Sequence, residues 1–121
     1  MKLRPLTRSD VSFSFTGEVM EEDTRPDFQS GDPEYKEEDD RLELEALERL
    51  AKGDVWAWAC VKVTAQWGSF SASTYLGGCS YKDEEEFISS GELASLEDDV
   101  LYKLNDTLES IFHRLSTLVE A

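Results

Sequence analysis

The segment from Gly53 to Tyr81 constrains the fold most, because it is a long, nearly uncharged stretch in a very acidic chain. It holds all three tryptophans, and after its first two residues Lys62 is its only charged residue. Two strand patterns, Val55–Trp67 and Phe70–Tyr81, flank Gly68-Ser69, a dipeptide suited to a two-residue turn. The segment therefore predicts an antiparallel hairpin.

The two faces of this hairpin differ in character. With the turn at Gly68-Ser69, Trp67 faces Phe70 and Val61 faces Leu76, on a side that is apolar and mostly small. The other side carries aromatic rings, and aromatic residues dominate interface hot spots. We interpret four of them as candidate anchors for a partner: Trp56, Trp58, Tyr75 and Tyr81. The alternative is that this face is covered, by the loop 21–34 or by a second subunit.

Both cysteines lie in the hairpin, where the predicted pairing puts Trp58 opposite Cys79. Cys60 and Cys79 would then share a face, diagonal to each other. No apolar run approaches the roughly 20 residues of a membrane span. The basic start MKLRPLTRSD is followed by no apolar segment typical of a signal peptide. We therefore expect a cytoplasmic protein with reduced cysteines, although a disulfide is conceivable.

The rest of the chain predicts one further strand and two helices. Residues 11–19, VSFSFTGEV, alternate between apolar and polar, as a half-buried strand does. Pro33–Lys52 has a helical apolar stripe between an Asp32 N-cap and a Gly53 C-cap. The segment 95–121 carries the strongest helical stripe.

The order β-α-β-β-α predicts a single α+β domain over residues 1–121, with a three-stranded sheet and two helices packed on one face. The first β-α-β step favours a parallel first strand. Segments 1–10 and 21–32 are predicted to be flexible.

The long C-terminal helix is predicted to outreach such a sheet. A helix of 25 residues spans about 37 Å. Its surplus apolar end is therefore a candidate homodimer surface: Phe112, Leu115, Leu118 and Val119. The alternative is that this end packs on the first helix.

The net charge of −15 is concentrated in two blocks. Fourteen acidic and three basic residues lie between Glu18 and Glu48, and eight acidic residues and no base lie between Asp83 and Asp99. Such charge repels nucleic acid and anionic membranes and favours a basic nucleic-acid-binding protein as partner. The alternative is that the charge only maintains solubility.

The first hypothesis is that the acidic side chains mimic a phosphate backbone. Carboxylates on one helix face recur at about 5–6 Å, and phosphates at about 3.4 Å along each DNA strand. The candidate partner-binding carboxylates are Glu34, Glu38, Asp39, Asp40 and Glu43, with Asp83, Glu84, Glu85 and Glu86. Catalysis is poorly supported, because His113 is the only histidine and no metal-ligand spacing occurs. We expect no enzyme activity, cofactor or metal.

The chain resembles small proteins encoded by phages and other mobile elements in three motifs that are followed by acids and Phe87: Gly53-Asp54-x-Trp56-Ala57-Trp58, Val61-x-Val63 and Tyr75-Leu-Gly-Gly-Cys-Ser-Tyr81. The resemblance covers residues 53–108. It implies an accessory protein, a group that includes acidic anti-CRISPR and antirestriction inhibitors, acting in the host cytoplasm. The other hypothesis is a dimeric structural or assembly module.

Overall fold

The computed structural model describes residues 3–20 and 26–119. These residues form strands β1 (Ser12–Val19), β2 (Ala59–Trp67) and β3 (Phe70–Cys79), and helices α1 (Lys36–Ala51), α2 (Glu84–Ser89) and α3 (Glu92–Val119). The predicted α+β fold with a three-stranded sheet is confirmed. The short helix α2 was not predicted, because six residues are too few to show a helical period.

The sheet has the order β1-β2-β3, and β1 pairs antiparallel with β2. The predicted parallel first strand is therefore wrong. Val19, the last residue of β1, lies opposite Ala59, the first residue of β2. Residues 20–58 thus leave the sheet and return at the same end, so no crossover along the sheet is needed.

One face of the sheet forms the core with α3. The inward residues of β2 from Ala59 to Ala65 have no exposed surface, and Val100 and Leu104 of α3 are equally buried. We predicted both helices on this face. α3 lies on it, whereas α1 makes its principal contacts with a 3-10 turn, Val55–Ala57, at the entrance to β2.

The hairpin register is as predicted from Trp67–Phe70 to Val61–Leu76. Beyond Leu76 a β-bulge shifts it, so that Ala59 pairs with Cys79, and Gly78 has a positive φ of 68°. The extra residue turns Cys79 into the core. The predicted pairing of Trp58 with Cys79, and a shared face for Cys60 and Cys79, are therefore wrong.

The N-terminal residues are joined to α3 through Leu6, which is buried. Its backbone N–H donates to the side-chain oxygen of Asn105 over 2.7 Å, and the Asn105 amide donates to its carbonyl over 3.0 Å. The flexibility predicted for 1–10 and 21–32 stays a prediction, and residues 1–2 and 21–25 lie outside the described part of the chain.

Candidate functional site

Two of the four candidate aromatic anchors belong to a cluster around Phe87 of α2. The ring centroid of Trp56 lies 5.2 Å from that of Phe87, and the Tyr81 centroid lies 5.3 Å away. Phe87 itself has no exposed surface. Gly17 makes room for Trp56, because a Cβ there would lie 2.7 Å from the indole. Trp56 and Tyr81 are consequently only half-exposed.

The other two aromatic candidates differ from each other. Tyr75 is well exposed on the open face of the sheet, where the Lys62 ammonium lies 5.8 Å from its ring centroid. Trp58 is half-buried, and the ring of Phe28 packs edge-on against it with centroids 5.5 Å apart. A segment of the predicted 21–34 loop therefore covers part of Trp58.

Several candidate carboxylates of the first acidic block have internal partners. Asp39 is buried and accepts hydrogen bonds from Ser30, and Glu43 accepts from the backbone N–H of Phe28 over 3.1 Å. Glu38 forms an ion pair with Arg41. Asp40 accepts from the side chain of Gln29 over 2.9 Å and lies 3.7 Å from the Lys36 ammonium. Glu34 is exposed on the 3-10 turn before α1.

The second acidic block is less neutralised. Asp83 caps α2 by accepting from the backbone N–H of Glu86 over 2.9 Å, and acidic residues fill the first turn of that helix. Within the described chain, the acidic residues from 83 to 92 form no ion pair with a base: Asp83, Glu84, Glu85, Glu86 and Glu92. We call these five residues the α2 acidic group.

Arg49 connects the end of α1 to the segment that precedes α2. Its guanidinium pairs with Asp54 over 2.8 Å and donates to the backbone carbonyls of Tyr81 and Lys82, immediately before α2. The C-terminal end of α1 therefore contacts the backbone just before Asp83, the first residue of the α2 acidic group. Because α1 rises about 1.5 Å per residue, the candidates near its first turn lie roughly 15 Å further along the helix.

A cleft of about 460 Å³ opens beside the bulge of β3. We call it the glycine cleft, because the backbone of Gly77 and Gly78 forms part of its wall. Trp58, Phe28 and Tyr81 supply aromatic surface, and Asp27 and Glu92 supply carboxylates. The complete lining is Asp27, Phe28, Trp58, Leu76, Gly77, Gly78, Cys79, Ser80, Tyr81 and Glu92.

The glycine cleft was not predicted as a site, although Trp58 and Tyr81 were predicted as partner-binding residues. Its residues come from four separated parts of the chain, which no local pattern brings together. The double glycine was the available signal, since a strand glycine often marks a bulge or a close approach. A Cβ on Gly77 would lie 3.3 Å from Met20, and one on Gly78 would lie 3.3 Å from Trp58.

Two buried polar groups adjoin this cleft. Among the described residues, the indole nitrogen of Trp58 is buried without an acceptor. Burial raises the pKa of the Cys79 thiol, and the nearby Cys60 and Glu92 add to the effect. The thiol donates to the Leu76 carbonyl over 3.4 Å. Cys79 is therefore a protonated wall residue rather than a reactive thiolate.

A second, apolar groove of about 350 Å³ lies at the far end of α3, between the N-terminal residues and the tip of the hairpin. Leu3, Leu6, Trp67 and Phe70 line it together with Leu108, Ile111, Phe112 and Leu115. Of the candidate dimer residues, Phe112 is half-buried in this groove. Leu115, Leu118 and Val119 are 54%, 72% and 85% exposed, so they do not pack on α1.

No protein family model, curated protein or solved structure matches this chain. None of the helices in residues 3–20 and 26–119 is long and apolar enough to cross a bilayer. In the same residues, no three histidine, cysteine or acidic side chains are grouped so that they could hold a metal ion.

Proposed function

We propose that this protein is a non-enzymatic inhibitor that occupies the basic nucleic-acid-binding site of another protein. The observation that carries the proposal is the α2 acidic group, five carboxylates that pair with no base of the described chain and lie beside a cleft with aromatic walls. In line with the resemblance to mobile-element proteins, the target is a host defence complex in the cytoplasm, of the anti-CRISPR or antirestriction type.

The physical basis is charge complementarity supported by apolar contact. A net charge of −15 steers the chain toward a basic groove and away from nucleic acid itself. α2 holds part of that charge on an ordered scaffold, because Phe87 anchors the helix in the core. Glu34, exposed on the 3-10 turn before α1, adds a further exposed carboxylate. Asp39 and Glu43 stabilise the fold instead, because their carboxylates accept hydrogen bonds from Ser30 and Phe28.

The test is affinity capture from the natural host at low and high salt, followed by binding measurements on the captured protein. We expect a basic nucleic-acid-binding protein whose affinity falls steeply with salt. Glu84→Lys with Glu85→Lys should abolish binding. The matched control is Asp106→Lys with Glu109→Lys, which changes the net charge equally on α3, away from α2. Equal losses in the two double variants would contradict a localised site.

A second candidate function is a self-associating assembly module, which the exposed apolar end of α3 favours. Two copies would bury Leu115, Leu118 and Val119 against each other. The test is light scattering after size exclusion. Leu115→Asp should convert a dimer to a monomer, whereas Leu44→Asp, at an exposed leucine of α1, should not. A monomeric wild-type chain at high concentration would exclude this function.

A further inference from the structure

We propose that the glycine cleft binds the guanidinium group of an arginine in the basic partner. This inference rests on the proposed function and specifies which partner side chain is recognised. Asp83, Glu84, Glu85 and Glu86 of the α2 acidic group would supply attraction over a distance, and the cleft, which Glu92 also lines, would supply the direct contact.

The charges of the cleft favour a cation. Asp27 precedes α1 and Glu92 opens α3, so the two carboxylates reach the cleft from separate parts of the chain. Among the described residues, no lysine, arginine or histidine lines the cleft. Within the described part of the chain, Asp27 accepts one local hydrogen bond, from the backbone N–H of Gln29 over 3.0 Å, through a single carboxylate oxygen. A cation entering the cleft therefore meets the negative charge of Asp27 and Glu92.

The aromatic wall favours a planar organic cation over a metal ion. Trp58, Phe28 and Tyr81 line the cleft, and a guanidinium stacks on such rings while its N–H groups bind carboxylates. A divalent metal would instead require a shell of oxygen ligands. The described residues offer no group of three acidic, histidine or cysteine side chains for one.

The backbone of the cleft gives the arginine access. Gly77 and Gly78 are exposed and have no side chains, and they belong to β3, an edge strand of the sheet. An extended segment can therefore approach this end of β3 closely. The opposite wall is fixed, because Glu43 and Asp39 hold the 26–30 segment against α1.

The experiment uses a short peptide of alternating arginine and glycine, titrated into the full chain and followed by NMR. We expect the Trp58 indole and the Gly77 and Gly78 amides to shift. A peptide with citrulline in place of arginine keeps the shape of the side chain without its charge. It should leave the signals of the Trp58 indole and of both glycine amides unchanged. A lysine peptide should bind at least several-fold more weakly, because an ammonium lacks the planar fork.

Asp27→Asn with Glu92→Gln should weaken binding of the arginine peptide about tenfold or more. Glu84→Gln with Glu85→Gln removes the same charge outside the cleft and should weaken it far less. Equal weakening by both double variants, shifts confined to other surfaces, or no binding to the wild-type chain would overturn the inference.

Binding of the double variants to the captured partner distinguishes a failure of this inference from a failure of the proposed function. If Glu84→Lys with Glu85→Lys abolishes partner binding while Asp27→Asn with Glu92→Gln leaves it unchanged, the arginine site is wrong and the inhibitor proposal stands. If neither double variant affects the partner, both are wrong.

Discussion

The carboxylate of Asp39 accepts two hydrogen bonds from Ser30, over 2.9 Å from its backbone N–H and 2.8 Å from its hydroxyl. Asp39 is only 7% exposed although it lies in the most acidic part of the chain. Together with the bond from Phe28 to Glu43, this contact holds the 26–30 segment against α1. Phe28 in turn covers part of Trp58.

Replacing Asp39 by Ala should therefore destabilise the fold. The change leaves the Ser30 donors without their acceptor, which typically costs about 1–3 kcal/mol. Asp40→Ala is the matched control, because its exposed contacts with Gln29 and Lys36 should contribute at most about 1 kcal/mol. Urea unfolding measures both free energies, and equal losses would contradict the structural role of Asp39.

Truncating Phe87 to Ala should remove the centre of the aromatic cluster. The side chain is fully buried between Trp56, Tyr81 and Phe15, and such truncations cost about 3–5 kcal/mol. The neighbouring Ile88 is 47% exposed, so Ile88→Ala should change the unfolding free energy by about 0.5 kcal/mol or less. The two variants are compared by thermal or urea unfolding. A small effect at Phe87 would show that α2 is not anchored through it.

Gly78→Ala should cost more than Gly31→Ala. Both glycines have a positive φ, 68° and 84°, which costs an L-residue roughly 1–2 kcal/mol. A Cβ at Gly31 meets nothing within 4 Å, whereas a Cβ at Gly78 would crowd the Trp58 indole. The difference between the two unfolding free energies isolates that crowding. Equal costs would mean that Trp58 does not pack on the bulge.

The N-terminal residues should respond to acid through Asp10. The Arg4 guanidinium and the Thr7 backbone N–H bind its carboxylate and lower its pKa from 3.8 to about 2. Because the folded pKa is the lower one, the stabilising contribution is complete above about pH 4 and is lost as the pH falls toward 2. Arg4→Gln should raise the pKa of Asp10 in a carboxyl NMR titration. Arg8→Gln, whose ion pairs are with Glu97 and Asp98, should leave it unchanged.

The periodic parts of the fold were predictable from the sequence. The alternation in β1 and around the Gly68-Ser69 turn determined the strands and most of the hairpin register. The caps at Asp32 and Gly53 indicated where the first helical region begins and ends, although its first residues form a 3-10 turn. These features depend on neighbours along the chain, so a local pattern reports them.

The site depended on information that a local pattern does not carry. One extra residue at Gly78 reversed the side of the sheet on which Cys79 lies. The apolar–polar pattern of β3 does not indicate this bulge. Asp39 and Glu34 look equivalent as charges, yet only Asp39 is buried in hydrogen bonds to another segment. The glycine cleft arises from residues as far apart in sequence as Asp27 and Glu92.

The adjacency of Val19 and Ala59 has an evolutionary consequence. The segment between them leaves and re-enters the sheet at the same end, so insertions or deletions around α1 can be absorbed without shifting the register of β1 against β2. Related chains could therefore keep the sheet and α3 while exchanging this segment for one of another length. The surface around α1 could in this way diversify faster than the sheet and α3.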